Sequence, residues 1–218
     1  MKTPEQRERE AEEINRQILD AAFALFSKEK IESVSMQKVA DEAGIGVATV
    51  FRHYPNKRAL ALGVEADIIR GFFLKATKER TPEYLEGVDA IDRLSFTLDL
   101  YIDLYENHKE ILLFNDNLNH FMHTQKDGED QPSDYMNLMV PLTSRFHAMY
   151  ERAKQDGTMR TDLSEMELQR VLLHTMMGTC NHYAGGFLWG ASESPDYGQD
   201  LRLLKEILMN FARGKRKE

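Results

Sequence analysis

The sequence predicts an all-α protein: three short helices followed by about six longer ones. Three observations point there. Apolar residues recur with a helical period over most of the 218 residues, no stretch of any length alternates as a strand would, and only 6 prolines interrupt the chain. Residues 14–28 open the pattern, with Ile18, Ala22, Leu25 and Phe26 forming one stripe. Ser35 is a fitting N-cap for a second helix through Met36, Val39, Ala40 and Ala43, and Gly44 ends it. Helical spacing resumes from Ala48 to Tyr54 and Pro55 breaks it. A long helix is expected from about 57 to 78, then helices over 87–107, 109–125, 133–156, 164–189 and 197–213. Polar loops fit 125–133 and 155–162, and 185–195 closes a long apolar helix. The domain boundary is expected between 56 and 57, giving domains 1–56 and 57–218.

Composition narrows the class. Apolar residues make up 42% and charged residues 29%, ordinary for a soluble globular protein. No apolar run approaches the roughly 20 residues that a bilayer span needs, and the N-terminus MKTPEQREREAEE has no apolar h-region of a signal peptide. The single cysteine, Cys180, cannot make an internal disulfide. A cytoplasmic, reduced setting is expected. Net charge is −8, unevenly spread: residues 1–58 hold 10 basic and 10 acidic residues, and the remainder 18 and 26. Within the first part, Gly44 to Arg58 contains Arg52, Lys57 and Arg58 and no acid, a small positive patch sufficient for DNA contact.

Met36 to Val50, MQKVADEAGIGVATV, has the spacing of a helix-turn-helix. Two helices that cross closely need a small contact residue, here Ala40. Their tight turn needs a residue tolerant of positive φ, here Gly44, and the second helix needs an apolar anchor, here Val50. Val47, Ala48, Thr49, Arg52 and His53 are then left facing outward, toward a major groove. An ordinary helical hairpin with a glycine in its turn satisfies the same spacing.

Residues 16–60, RQILDAAFALFSKEKIESVSMQKVADEAGIGVATVFRHYPNKRAL, resemble the DNA-binding domain of the tetracycline-repressor (TetR) family. The shared features are the opening RxILDAAxxLF, the VADEAG helix, the GIGVATVF turn and recognition helix, and the closing HYPNKxxL, all in order and without a gap. The resemblance implies an N-terminal three-helix helix-turn-helix domain followed by a helical effector-binding and dimerisation domain. It implies a repressor, released from a palindromic double-stranded DNA operator when a small-molecule effector binds; an activator of the same fold is the alternative. It also implies that the last two helices pair with a second copy. No cofactor and no membrane role are expected.

The resemblance assigns Thr49, Tyr54 and Lys57 to phosphate contacts, with Ser35 and Gln37 near the start of the second helix as further backbone contacts. Val47, Ala48, Arg52 and His53 are candidates for base edges, since Arg reads guanine and small apolar groups meet the thymine methyl. A solvated surface charge is the plainer reading of Arg52. Phe51 is assigned to the core. Three positions depart from the family pattern. Lys30 stands where glycine is usual, which costs about 1 kcal/mol if the position is left-handed. Gly46 replaces a capping serine, and Phe51 replaces a tyrosine whose hydroxyl could reach a phosphate. The acid-rich tail 1–15 reads as a solvated helical extension, and KRK at 215–217 as a solvated tail.

For dimerisation the candidates are Leu168, Val171, Leu172 and Thr175 with the small residues Gly178, Ala184, Gly185 and Gly186, and the face Leu201, Leu204, Leu208 and Phe211. Both stripes fit equally inside a monomer. For a partly apolar effector the candidates are Phe114, Leu118, Met122, Tyr135, Met139, His174, Met177 and Asn181, with ordinary core packing as the alternative. Asp116, His120 and His123, spaced i, i+4, i+7, form a weak metal pattern, and a solvated polar face fits them as well; no metal site is assigned. A helical enzyme or an adaptor would be the competing classes. No Ser-His-Asp order, P-loop, HExxH or GxGxxG in a supporting context favours an enzyme.

Overall fold

The structure is a computed structural model. It describes residues 3–74, 76, 87–124, 131–186 and 197–213, without the side chains of 74 and 131–136. Among these residues all regular structure is helical apart from one isolated bridge, Met159 with Arg213. The chain forms two compact units: residues 1–75 with 113–131, and residues 76–112 with 132–218.

The first unit begins with α1, Pro4–Phe26. Thr3 caps it: its hydroxyl accepts from the Gln6 N–H at 3.2 Å, and the Gln6 side chain accepts from the Thr3 N–H at 2.9 Å. Residues 3–13 are exposed, a solvated helical extension as the acid-rich tail implies. From Ile18 on, Ile18, Leu19, Ala22, Leu25 and Phe26 turn into the core. A single 3₁₀ turn, Ile31–Ser33, leads to α2, Met36–Glu42, capped by Ser35, whose hydroxyl accepts from the Lys38 N–H at 3.0 Å. Lys30 sits at φ −58°, so it bears no left-handed strain. The recognition helix α3 spans Val47–His53 with Gly46 at its N-cap and no side-chain cap bond.

α4, Lys57–Ile68, starts at Asn56, whose side chain accepts from the Ala59 N–H at 2.8 Å. It continues as a π-helical turn, Ile69–Leu74, rather than as the uniform helix expected. Such a turn carries one extra residue and shifts the face that follows it. Residues 77–86 lie outside those described. The core of the unit closes against residues 113–124: Phe23 and Phe114 pack edge to face with centroids 5.9 Å apart. The Asn117 amide donates to the carbonyls of Phe26 and Glu29, at 2.8 and 3.3 Å, satisfying groups that the end of α1 leaves open.

The second unit contains α5 (Ala90–Asn107), the start of α6 (Lys109–Thr124) and most of α7 (Gln131–Asp156). There follow α8 (Glu165–Gln169), a π-helical turn Arg170–His174, α9 (Thr175–Ala184) and α10 (Tyr197–Ala212). These bounds lie within a few residues of the helices read from periodicity. Asp156 ties α7 to the start of α5. Its carboxylate accepts from the Ala90 N–H at 2.9 Å and from the Thr158 N–H and hydroxyl at 2.9 and 2.8 Å; these bonds outweigh its burial and hold its pKa below the usual value. Cys180 is fully buried, its thiol donates to the Tyr101 carbonyl at 3.4 Å, and burial raises its pKa to about 12, so it serves as packing.

The apolar stripes of the last helices divide differently from expectation. Leu168, Leu172, Leu201 and Leu208 are buried within the chain. The π-helical turn carries Val171 outward while Leu172 stays in the core, and α10 exposes Leu203, Ile207 and Phe211 on its other side. α10 is therefore apolar on two faces, one inside and one open.

Glu65 on α4 is 6% exposed, and burial raises its pKa from 4.5 to about 7. A carboxyl with a raised folded-state pKa favours folding at low pH and loses that contribution as pH climbs from the unfolded value through the folded one. The first unit is expected to lose up to about 3 kcal/mol of stability between pH 4.5 and 7. Urea unfolding across this range should show the loss, and Glu65→Gln should flatten it.

Candidate nucleic-acid interface

The turn between α2 and α3 is a Schellman arrangement. Gly44 has φ +68°, its N–H donates to Asp41 at 3.2 Å, and the Ile45 N–H donates to Ala40 at 3.0 Å. With the turn so fixed, α2 and α3 pack against each other, and Val50 and Ala40 have no exposed surface while Val39 has 1%. Val50 takes the inward slot of a seven-residue helix, so its neighbours face out.

Ala48, Phe51 and Arg52 are exposed, and Val47, Thr49 and His53 are partly exposed. Phe51 is 48% exposed, which corrects its assignment to the core. It lies three residues after Ala48 and shares that residue's face. The Arg52 guanidinium donates to the Thr49 hydroxyl at 3.0 Å, so the two groups are held together on the surface. From residue 43 to residue 64 no acid appears, while Arg52, Lys57 and Arg58 are present, and the nearby Glu32 carboxylate acts on the charge of Lys57.

The remaining residues assigned to DNA contact are engaged in bonds within the first unit. Ser35 caps α2, and the Gln37 amide donates to Asp41 at 2.7 Å. The Tyr54 hydroxyl donates to Asn15 at 2.8 Å, and its ring lies over Gly63, where an added Cβ would stand 2.6 Å from it. Burial raises the Tyr54 pKa. Lys57 Nζ donates to the Glu32 carbonyl at 2.7 Å, and partial burial lowers its pKa. Tyr54 and Lys57 thus pin α4 to α1 and to the 3₁₀ turn. Asn15 and Asn117, which complete this frame, gave no signal in the sequence; single amides on helix faces read as solvated.

The residues put forward for an effector are distributed. Phe114 and Leu118 are fully buried in the core of the first unit, and Met122 accepts a weak bond from Arg58 at 3.6 Å. Met139, Met177 and Asn181 are partly exposed in the second unit and His174 is exposed. The Tyr135 side chain lies outside those described. A groove of about 560 Å³ between α5 and α10 is lined by Ser95, Asp99, Arg202, Lys205, Glu206, Met209, Asn210 and Arg213, none of them in the predicted set. Among the described residues no three His, Cys, Asp or Glu side chains could hold a metal ion. Asp116, His120 and His123 are exposed, and hydrogen bonds from its own backbone and the Thr124 hydroxyl outweigh desolvation to lower the pKa of nearby Glu32.

Residues 18–64 match the family described as bacterial regulatory proteins, tetR family. An HTH-type transcriptional regulator of Staphylococcus aureus is 29% identical over 105 residues, covering 48% of this chain and 54% of that protein. The chain spans about half the length of the curated relatives it matches. Among solved structures, the fatty acid degradation regulator FadR of Bacillus halodurans superposes with a TM-score of 0.71 at 13% identity, covering 99% of this chain and 100% of that one. FadR of Bacillus subtilis, in complex with stearoyl-CoA, gives 0.71 at 14% identity, covering 91% and 99%. At these identities the structures establish a shared all-helical fold with an N-terminal helix-turn-helix.

If Tyr54 and Asn15 act as one clamp, Tyr54→Phe and Asn15→Ala will each destabilise the first unit by about 1 kcal/mol. The double variant will lose little more than either single one, as a double-mutant cycle by chemical denaturation would show.

Proposed function

We propose that the chain is a regulator of the TetR family and a homodimeric repressor, released from a palindromic operator when a small-molecule effector binds. The observation behind this reading is the outward face of α3: an exposed, acid-free helix surface on a rigid helix-turn-helix. An enzyme has no use for such a face, and the proposal includes no catalytic role. In this reading Arg52 and His53, with Val47 and Ala48, read base edges, and Thr49, Lys57, Ser35, Gln37 and Tyr54 make the backbone contacts that set register.

Two recognition helices must reach half-sites about 34–36 Å apart, so a dimer is required. The open stripe Val171, Thr175, Gly178 on α8–α9 and Leu203, Ile207, Phe211 on α10 is the surface proposed for pairing. Its small residues allow close approach, and its large ones would bury on association. The effector is proposed to be partly apolar and to use Met139, Met177 and Asn181 of the second unit. Its binding shifts the population toward a state with the wrong half-site spacing. α4, which leaves the helix-turn-helix directly and ends in a π-helical turn, is the lever. A cytoplasmic location belongs to the same proposal, as the setting in which a regulator meets operator DNA. An activator built on the same contacts is the second reading.

Titrating the protein against its own upstream intergenic DNA, with an unrelated duplex as control, tests the proposal. Salt-sensitive binding that prefers the upstream duplex, with two protomers or a multiple per site, is expected. Failure to enrich any sequence from genomic DNA would remove it. Arg52→Ala should weaken specific binding about tenfold or more and narrow the gap to the control duplex. Ile207→Glu should give a folded monomer by sedimentation, with operator affinity at least tenfold lower.

A further inference from the structure

Among the described residues Glu65 is the one acidic or basic side chain that is buried, and no hydrogen bond or ion pair within them engages its carboxyl. Ala61 and Ile69, one turn before it and one turn after, are buried as well. An ionised carboxylate needs several such bonds to leave water, so Glu65 fits this seat only with its proton on. Its backbone carbonyl accepts from the N–H of Ile69, the first residue of the π-helical turn. The buried acid is therefore bonded to the residue at which the helix changes register.

The charged and titratable groups of the elements around α4 are engaged elsewhere. On α1, Arg16 and Asp20 pair with each other at 3.8 Å and are largely exposed. At the end of α4, Asp67 pairs with Arg70 of the π-helical turn at 3.8 Å. Arg58 donates to Met122 of α6, Lys57 to the Glu32 carbonyl and the Tyr54 hydroxyl to Asn15. Asp116, His120 and His123 of α6 are exposed. None of them acts on Glu65: burial alone raises its pKa, to about 7.

We propose that Glu65 and the π-helical turn form a proton-operated joint at the end of α4. With its proton the carboxyl stays packed. On losing that proton to solvent, the carboxylate leaves its seat for water and the helix re-registers at Ile69–Leu74. A shift of one residue there turns the side chains that follow by about 100°. The open state holds an ordinary hydrated carboxylate, so its share grows as pH rises through neutrality. Only the consequence at the operator rests on the reading of the chain as a DNA-binding regulator. α4 leaves the helix-turn-helix directly, and two registers at its end spread the recognition helices over more than one spacing. Operator affinity therefore falls as pH rises. Protons act on the same lever as the effector.

The test uses the full chain and a duplex that it enriches from genomic DNA. Binding is titrated at constant salt at about pH 6 and about pH 8, on either side of the transition. Over this interval wild-type affinity should fall about three- to tenfold more than that of Glu65→Gln, which has no proton to lose. The contribution of His53 is common to both proteins and cancels in the comparison. At the higher pH Glu65→Gln should be the tighter binder. Equal pH profiles for the two proteins overturn the inference and leave the regulator reading standing. Circular dichroism melting checks that the variant folds, and hydrogen exchange of the wild-type protein decides if it does not. Corrected for intrinsic rates, exchange over residues 66–74 should quicken about threefold or more across the same interval, relative to the core of α1. Exchange that keeps step with α1 overturns the inference, whatever the protein does with DNA. Enrichment of no sequence overturns the regulator reading and the operator consequence with it, and exchange then decides the joint.

Discussion

Everything on the outer face of α3 depends on the burial of Val50 where α3 packs against α2 across the Gly44 turn. The recognition helix has only seven residues, too few to be stable alone. It holds its shape because a buried valine anchors it and a left-handed glycine ends α2 with both Schellman bonds made. Any side chain with a Cβ at residue 44 would strain the turn, and a larger residue at 40 would push α3 away. Once the anchor is in place, the 3.6-residue period decides which side chains remain outside, and those are the chemistry of the interface.

That anchor is useful only on a stiff support. Support comes from polar groups that would look idle on their own helices. Asn117 of α6 closes the carbonyl end of α1, Tyr54 reaches Asn15 over the bare backbone of Gly63, and Lys57 holds the Glu32 carbonyl. Each joins segments far apart in sequence. Together they tie distant segments of the first unit to one another, and none of them engages the end of α4. There the helix gives way to a π-helical turn, after burying an unusually neutral Glu65.

The same economy appears in the second unit. Leu201 and Leu208 of α10 satisfy its own core, yet Leu203, Ile207 and Phe211 are left open. A helix apolar on both sides is ordinary when it lies between two partners, and among the described residues the chain supplies only one of them. The π-helical turn between α8 and α9 has a related effect: it turns Val171 out while Leu172 stays in, so the run presents an open side of Val171, Thr175 and Gly178.

The order and type of nearly every helix were legible in the residues, because apolar spacing, the caps Ser35 and Asn56, and the breakers Gly44 and Pro55 act locally. The helix-turn-helix was legible for the same reason: its spacing is a steric requirement written within 15 residues. What local pattern could not supply was direction. Phe51 was read as core because aromatic residues are usually buried; only the prior claim of Val50 on the single inward slot sends it out. Leu168 and Leu201 were read as candidates for pairing between copies, and only the packing of α5 against the last helices shows them used within the chain. The π-helical turns were illegible because they shift a helix face without changing composition. The amide of Asn117 was illegible because its partners lie about 90 residues away. Sequence determines which segments are helical and where they stop, through forces that act within a turn or two. Tertiary structure decides which faces are spent inside and which are left to meet something else, because that depends on which neighbour arrives first.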